Sequence, residues 1–396
     1  MSIPPQRSRC VSAPRWLVTA AVILAAGVSS GCTSPSTANS RANSALSSPT
    51  IPLSSSSVTR TATWATLAMG HLDDPLNTFW QLLTFKGSKW HVATPPGVAS
   101  NGGLVAEAAS TSVLAGFGPS QELEFSPLAR TDDQGSSWQG GVLPAGLALV
   151  PDALAQSGGK SLALLGSDGG KVVTGLADLS TWKSLTTAAA LRRQATGTAC
   201  HLRSLTAVTL DSHGNALVGA SCTQGGRVGL FTPSSDGWMS VGPAIGGDSA
   251  SPSEVIRLDQ TGAGTAALVS VGNATAARLY AMWSTNGLGS WTVSAGLPLD
   301  GASLLSTGVT AAGGFIVCTR RGGAVPAASV VSPTTSSQWK SLPPLPSGTT
   351  SVTATPTGSF EALVPALSLL SAYGLSGTGW TRVQSLEVDV PYGSSN

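Results

Sequence analysis

The sequence predicts an all-β fold, a seven-bladed β-propeller of four-stranded antiparallel blades, on three observations. Trp90, Trp138, Trp182, Trp238, Trp291, Trp339 and Trp380 are spaced by 48, 44, 56, 53, 48 and 41 residues, and each stands at or next to the start of a short strand-like run. Two or three further apolar runs precede most of them, separated by turns in which Gly accompanies Asp or Asn. Charged residues make up only 10% of the chain, with six Lys and six Glu, so the exposed faces of a helical bundle cannot be stocked. A four-stranded blade has two apolar faces and cannot bury them alone. Packing blades face to face around an axis buries both. A two-domain β-sandwich would also show regular short strands, but the even tryptophan spacing favours the propeller.

The elements follow in order. Residues 1–15 hold three arginines and no acid, and residues 16–30 are apolar or small. That run has the length of a signal-peptide core and falls short of the ~20 residues of a membrane span. Val28-Ser29-Ser30-Gly31-Cys32 resembles a bacterial lipobox, with Ser29 where an aliphatic residue is usual. The resemblance implies removal of residues 1–31, lipidation of Cys32, and an extracytoplasmic location at the cell membrane. Between Thr33 and Arg60, 14 of 28 residues are Ser or Thr. Such a stretch cannot bury enough apolar surface to offset its ordering entropy, so residues 32–60 read as a flexible tether and residues 61–396 as the folded domain.

The formal charge of +2 includes Arg7, Arg9 and Arg15; without them 18 basic side chains face 19 acidic ones, a net of −1. Nucleic-acid binding needs clustered cations, and only the pairs Arg192-Arg193 and Arg320-Arg321 occur.

Within the domain, Ser161–Leu165 and Lys171–Thr174 flank the turn Ser167-Asp168-Gly169-Gly170. In the next unit the strand-like runs are Ser204–Leu210, Ala216–Cys222 and Arg227–Phe231, with Ser212-His213-Gly214-Asn215 as the first turn. The first unit shows only two runs before its tryptophan, Ala62–Ala68 and Thr78–Phe85. The segment Leu386–Val390 alternates apolar and charged residues, which predicts that it completes the first blade; a loose tail is the alternative.

Thr131-Asp132-Asp133-Gln134-Gly135-Ser136-Ser137-Trp138 fits the pattern S/T-x-D-x-G-x-S/T-W. It resembles the BNR, or Asp-box, repeats of sialidase-like and sortilin-like propellers. The resemblance implies a turn between the third and fourth strands of a blade, built by Thr131, Asp133 and Gly135, with Trp138 packed between blades. Ser284–Trp291 is a worn copy without the central Gly.

Sialidases would imply glycoside hydrolysis, but they share a Phe-Arg-Ile-Pro segment, an arginine triad and a Tyr/Glu pair. No Phe-Arg dipeptide occurs here, and Tyr280, Tyr373 and Tyr392 stand in no such context. No catalytic residue is therefore nominated. His71, His91, His201 and His213 lack metal-ligand spacing, and His71-Leu72-Asp73-Asp74 reads as an acidic turn, so no metal is expected. Gly159-Lys160-Ser161 and Gly262-Ala263-Gly264 read as hairpin turns rather than nucleotide loops, so no cofactor is expected. Cys200, Cys222 and Cys318 remain after export. A Cys200–Cys222 disulfide would be worth about 3 kcal/mol outside the cytoplasm; three buried thiols are the alternative. The expected function is non-catalytic binding or scaffolding of a protein or glycan by a monomer, without nucleic acid. A degenerate sialidase-like glycoside hydrolase and an envelope-complex assembly factor are the alternatives.

Overall fold

The computed structural model describes residues 56–389, except 59–62, 73, 75–76, 96–97, 99–102, 110–111, 119–127, 141–150, 167–168, 177–178, 180, 225, 246–250, 274 and 334–335. The signal segment, Cys32 and most of the stretch read as tether lie outside the described residues. Among those described, no helix is long and apolar enough to cross a membrane.

The strands form antiparallel meanders that follow one another along the chain. The first comprises β1 (Ser56–Val58), β2 (Thr63–Gly70), β3 (Thr78–Lys86) and β4 (Lys89–Val92). The second comprises β5 (Gly103–Ala109), β6 (Ser112–Gly118), β7 (Leu128–Thr131) and β8 (Gln139–Gly140), and the third β9 (Ala153–Ser157), β10 (Lys160–Leu165), β11 (Lys171–Leu176) and β12 (Trp182–Thr187). The fourth holds β13 (Leu202–Leu210), β14 (Ala216–Cys222), β15 (Leu230–Ser234) and β16 (Gly237–Ser240). The fifth holds β17 (Ser253–Thr261), β18 (Gly264–Val271), β19 (Arg278–Ser284) and β20 (Thr292–Val293), with β21 (Leu297–Pro298) also beside β19. Pairs Ser221–Glu254 and Cys222–Ser253 join the fourth and fifth meanders into one nine-stranded sheet. Next come β22 (Ser303–Val309), β23 (Phe315–Arg320), β24 (Ala327–Ser332) and β25 (Ser336–Ser341). The last meander is β26 (Ser351–Ala354), β27 (Phe360–Ala366), β28 (Leu369–Ser376) and β29 (Gly379–Glu387).

Strand side chains point alternately to opposite faces, so a sheet with one wet face alternates in burial. The middle strands here do not: Thr78 to Phe85 and Ala216 to Cys222 are buried without a break. Both faces of a meander are covered, because each apolar cluster spans two successive meanders. Trp64, Trp80 and Leu82 meet Val113, Ala115 and Phe117; Leu114 and Leu128 meet Leu154 and Ala163. The pattern continues through Leu268 with Phe315 and through Ile316 with Val352. It returns to its start, because Leu67, Phe79, Leu83 and Trp90 pack on Leu363, Leu370, Ala372 and Val388. First strands touch first strands of neighbouring meanders, which puts them on the inner side.

Closure differs from the expectation. Leu386 pairs with Leu370 and Ser385 with Ser371, so this segment extends β29 and does not enter the first meander. Ser56–Val58, inside the stretch read as tether, supplies the missing strand by pairing with Thr63–Ala65. Alternation marked Leu386 and Val388 correctly as partly inward-facing, but it could not say which sheet they face. Between the third and fourth meanders stand two short helices, α1 (Ala188–Arg192) and α2 (Ala195–Ala199), which the strand pattern did not foresee. Thr187 caps the first by accepting from the Ala190 amide at 3.0 Å, and Leu191 anchors it in the core.

All of the spaced tryptophans lie in, or immediately before, the fourth strand of a meander. Several reach back to the preceding one. The indole N–H of Trp291 donates to the Val241 carbonyl at 2.8 Å, Trp339 to Ala295 at 3.0 Å, and Trp380 to Pro343 at 3.2 Å. Each acceptor lies just past the fourth strand of the meander before. Trp90 also reaches the preceding meander across the closure, but its acceptor is a side chain on the second strand, Glu361 Oε2 at 2.7 Å.

Candidate functional site

A meander of four strands has two kinds of end. One rim carries the first-to-second and third-to-fourth turns; the other carries the second-to-third turns and the links. On the first rim, turns of the fourth and fifth meanders enclose a groove of about 370 Å³, lined by Asp211, Ser212, Gln260 to Thr265, Ser284, Thr285 and Gly287.

Local chemistry shapes each wall. Asp211 Oδ1 accepts from the His213 and Asn215 amides at 2.9 and 2.8 Å, which fixes the turn that the Ser-His-Gly-Asn signature predicted. Thr261 Oγ1 accepts from the Ala263 amide at 3.1 Å and donates to the Gly264 carbonyl at 2.9 Å. Gly264 has φ +107, and a Cβ there would lie 2.3 Å from the Ser284 carbonyl, so only glycine lets the two turns approach. Thr265 Oγ1 donates to Gln260 Oε1 at 2.9 Å, which leaves the amide NH₂ of that exposed glutamine as a donor. Ser284 is buried, and its hydroxyl has no hydrogen-bond partner. A buried hydroxyl left unpaired costs roughly 1–3 kcal/mol. Asp211 is the one ionisable group in the lining, so the groove offers hydroxyls, an amide and a carboxylate edge and no cation for a phosphate. The glycine pair that mimics a dinucleotide loop forms a hairpin in this wall, Thr261 pairing with Gly264.

On the inner side, Arg257 and Asp259 of β17 form a bidentate pair at 2.5 and 3.1 Å, and Arg257 donates to the Thr307 carbonyl of β22 at 3.0 Å. The two side chains are nearly buried, so the pair links inner strands of neighbouring meanders rather than presenting a free guanidinium. On the second rim, Gly70, His71, Leu72, Asp74 and Asn77 line an open hollow of about 550 Å³. Among the described residues, no three His, Cys, Asp or Glu side chains gather as metal ligands.

The Thr131–Trp138 segment forms the turn from β7 to β8. Thr131 Oγ1 donates to Asp133 Oδ1 at 2.7 Å and accepts from the Gly135 amide at 3.0 Å. Asp133 accepts from the Ser137 hydroxyl at 2.6 Å and amide at 2.9 Å. These bonds, those of Ser137 first and Thr131 next, hold the Asp133 carboxyl down at about 2. Gly135 has φ +84, and a Cβ there would lie 3.0 Å from that of Ala93, just past β4. Trp138 meets Phe117 edge-on at 6.0 Å in the cluster between the first two meanders. Cys200 and Cys222 are joined, with Cα atoms 5.3 Å apart, and Cys318 is a buried thiol that burial pushes up to about 12. None of these residues lines the groove. The groove residues escaped the sequence reading because they come from three turns. A recurring Asp/Thr-x-x-Gly turn was visible at Asp211–Gly214, Thr310–Gly313 and Thr355–Gly358, each closed by the amide of Gly donating to the first residue.

Solved structures resemble this arrangement. The Pseudomonas aeruginosa periplasmic gluconolactonase PpgL aligns at 11% identity over 84% of this chain and 98% of its own, with a TM-score of 0.50. A Bacteroides fragilis protein, assigned by inference to the 6-phosphogluconolactonases, aligns at 12% identity over 82% of this chain and 96% of its own, with a TM-score of 0.51. The fold is a β-propeller. In a propeller the meanders are blades, and both rims present loops from a rigid ring. No family model and no curated protein sequence matches the chain.

Proposed function

We propose that this chain is a membrane-anchored extracytoplasmic lipoprotein whose seven-bladed propeller acts as a non-catalytic binding or scaffold module for a protein or glycan. The groove between the fourth and fifth blades carries the reading. It pairs a buried, unpartnered Ser284 hydroxyl with exposed Gln260 and Thr285, and its glycine walls let a guest come close to the backbone. Hydroxyl and amide donors with one carboxylate edge suit a neutral polar surface such as a sugar or a peptide backbone.

The blade count is supported by the tryptophan in or beside each fourth strand and by the return of the last blade to the first. Similarity to BNR repeats is supported by the Thr131–Trp138 turn, which lies between the third and fourth strands of its blade. Export is supported by the Cys200–Cys222 link, which an oxidising compartment preserves, and by the basic, apolar and Cys32 sequence at the N-terminus. The lactonase names of the two neighbours belong to those proteins; at this identity they transfer a fold and no substrate.

Binding of a panel of neutral oligosaccharides and uncharged peptides, measured by titration calorimetry, tests the site. Gln260→Ala should weaken a positive guest about tenfold, the cost of one lost hydrogen bond to a polar partner. A guest that binds Gln260→Ala and Ser284→Ala proteins as tightly as the wild type would move the site elsewhere. For the anchor, Cys32→Ala should abolish incorporation of a labelled fatty acid; retained label would refute lipidation at this cysteine.

A further inference from the structure

We propose that the second rim, the one bearing Leu72, Val325, Leu367 and Leu369, docks on the lipid surface that holds the anchor, so that the polar groove faces away from the membrane. The inference rests on the anchored reading above and adds an orientation and a contact surface to it.

The topology fixes which end this is. With four strands per blade, the fourth ends on the rim where the first began, so links and second-to-third turns share a rim. Two contacts tie these elements together. The Gly70 amide of the first blade donates to the Leu367 carbonyl of the last at 3.0 Å, and Arg321 in a second-to-third turn meets Asp300 in a link at 3.3 Å. Ser56 opens the first strand opposite Ala65, partway along β2, and this strand runs from the second-rim side toward the first rim. Cys32 precedes it by 24 positions, a stretch that spans no more than ~85 Å even when fully extended. An acyl group on Cys32 would keep the folded domain at high local concentration beside the bilayer, and the exposed apolar side chains then decide which rim meets it.

The rim has the composition for such a contact. Leu72, Val325, Leu367 and Leu369 are 42, 61, 51 and 41% exposed, half of the large apolar side chains that stand exposed among the described residues. They lie in or beside the second-to-third turns of three neighbouring blades, those next to the closure. Leu367 has φ +52, a left-handed conformation that glycine adopts far more readily. The ring leaves half of this leucine uncovered. Burial in a bilayer interface would reward it. Arg320 and Arg321 share a turn with Val325 and are placed to reach headgroup phosphates while the leucines enter the acyl boundary. Asp74 and Asp300 lie on the same rim, so the charge is mixed and the attachment is apolar first.

The test uses the full lipidated chain in phosphatidylethanolamine/phosphatidylglycerol vesicles. An environment-sensitive dye is placed at Leu72→Cys or, on the opposite rim, at Gly262→Cys, where a side chain meets open space. Brominated lipids should quench the first dye several-fold more than the second, and 0.5 M salt should change this little. Leu367→Gly combined with Val325→Ser should reduce quenching at position 72 while the thermal midpoint is held or raised. Equal quenching at both rims, in protein that stays with the vesicles, overturns the docking and leaves the anchor standing. Protein that does not stay with the vesicles refutes the anchor, and the orientation with it.

Discussion

Two seams of the ring hold neighbouring blades with different materials. Between the fourth and fifth blades the backbone does much of the work, through Ser221–Glu254 and Cys222–Ser253, and the Cys200–Cys222 link braces the same end of β14. Between the last blade and the first, one bridge at Gly70–Leu367 is backbone and side chains supply the rest. Trp90 is buried against Phe85 at 5.2 Å, its indole bonds Glu361, and Gln384 brackets its backbone, accepting from the amide at 2.7 Å and donating to the carbonyl at 2.8 Å. The partners at the first seam are near in sequence, whereas Trp90 and Gln384 are 294 residues apart. Closing so long a loop costs entropy that local seams do not face. The difference teaches that a ring concentrates its most specific side-chain chemistry where the chain itself gives no help.

The largest effect should come from breaking the closing seam. Trp90→Ala should cost about 3–5 kcal/mol, as loss of a fully buried aromatic does, and lower the urea midpoint of the whole domain. Trp90→Phe keeps most of the apolar contact but leaves Glu361 without its donor, for about 1–3 kcal/mol. If Trp90→Ala costs no more than Trp339→Ala at an ordinary seam, the two kinds of seam are energetically alike and the contrast fails.

Removing the brace at the other seam should come next. The Cys200→Ala/Cys222→Ala protein should lose about 3 kcal/mol, because the link closes a loop of 22 residues in the unfolded chain. Reductant should destabilise the wild type by a similar amount and leave the variant unmoved. Insensitivity of both would mean that backbone pairing alone secures this seam.

The smallest effect sharpens the electrostatic side of the contrast. Burial raises the Glu361 carboxyl above its ordinary 4.5, and the Trp90 indole only partly opposes this. The folded state therefore holds this proton more tightly than the unfolded one. Its stabilising share is complete below pH 4.5 and is lost as pH rises through the elevated value. Glu361→Gln keeps an acceptor for the indole and carries no charge. It should be modestly more stable than the wild type at pH 7 and flatten the pH dependence above pH 4.5, read as thermal midpoints across pH 4–8. An unchanged profile would place the pH sensitivity elsewhere.

The seams also show what a sequence discloses. Periodic tryptophans marked the fourth strands because an indole at a fixed place in each blade is a local, repeated need. Gly with Asp or Asn marked hairpins because left-handed turns select those residues wherever they occur. Glu361 and Gln384 carried no mark. Their role exists only once the last blade meets the first, and no local pattern encodes that meeting. Leu386–Val390 misled for the same reason, since alternation reports two faces without naming the neighbour on either. The α1–α2 link could have been seen in Ala188-Ala189-Ala190-Leu191, a good helix former behind a Thr cap. The groove stayed hidden because Asp211, Gln260 and Ser284 are brought together only by the packing of two blades.

The indole bonds have a direction in time as well as in space. For Trp291, Trp339 and Trp380 the acceptor belongs to residues made earlier, so a chain that emerges amino end first offers each arriving ring a carbonyl already in place. Among the spaced tryptophans Trp90 runs the other way, because its acceptor is made 271 residues later. The first blade must wait through nearly the whole of synthesis with that N–H unclaimed, and a chain cut short before Glu361 never satisfies it. A ring without its last blade would therefore leave this indole donor without its partner, at a cost of about 1–3 kcal/mol if it stayed buried.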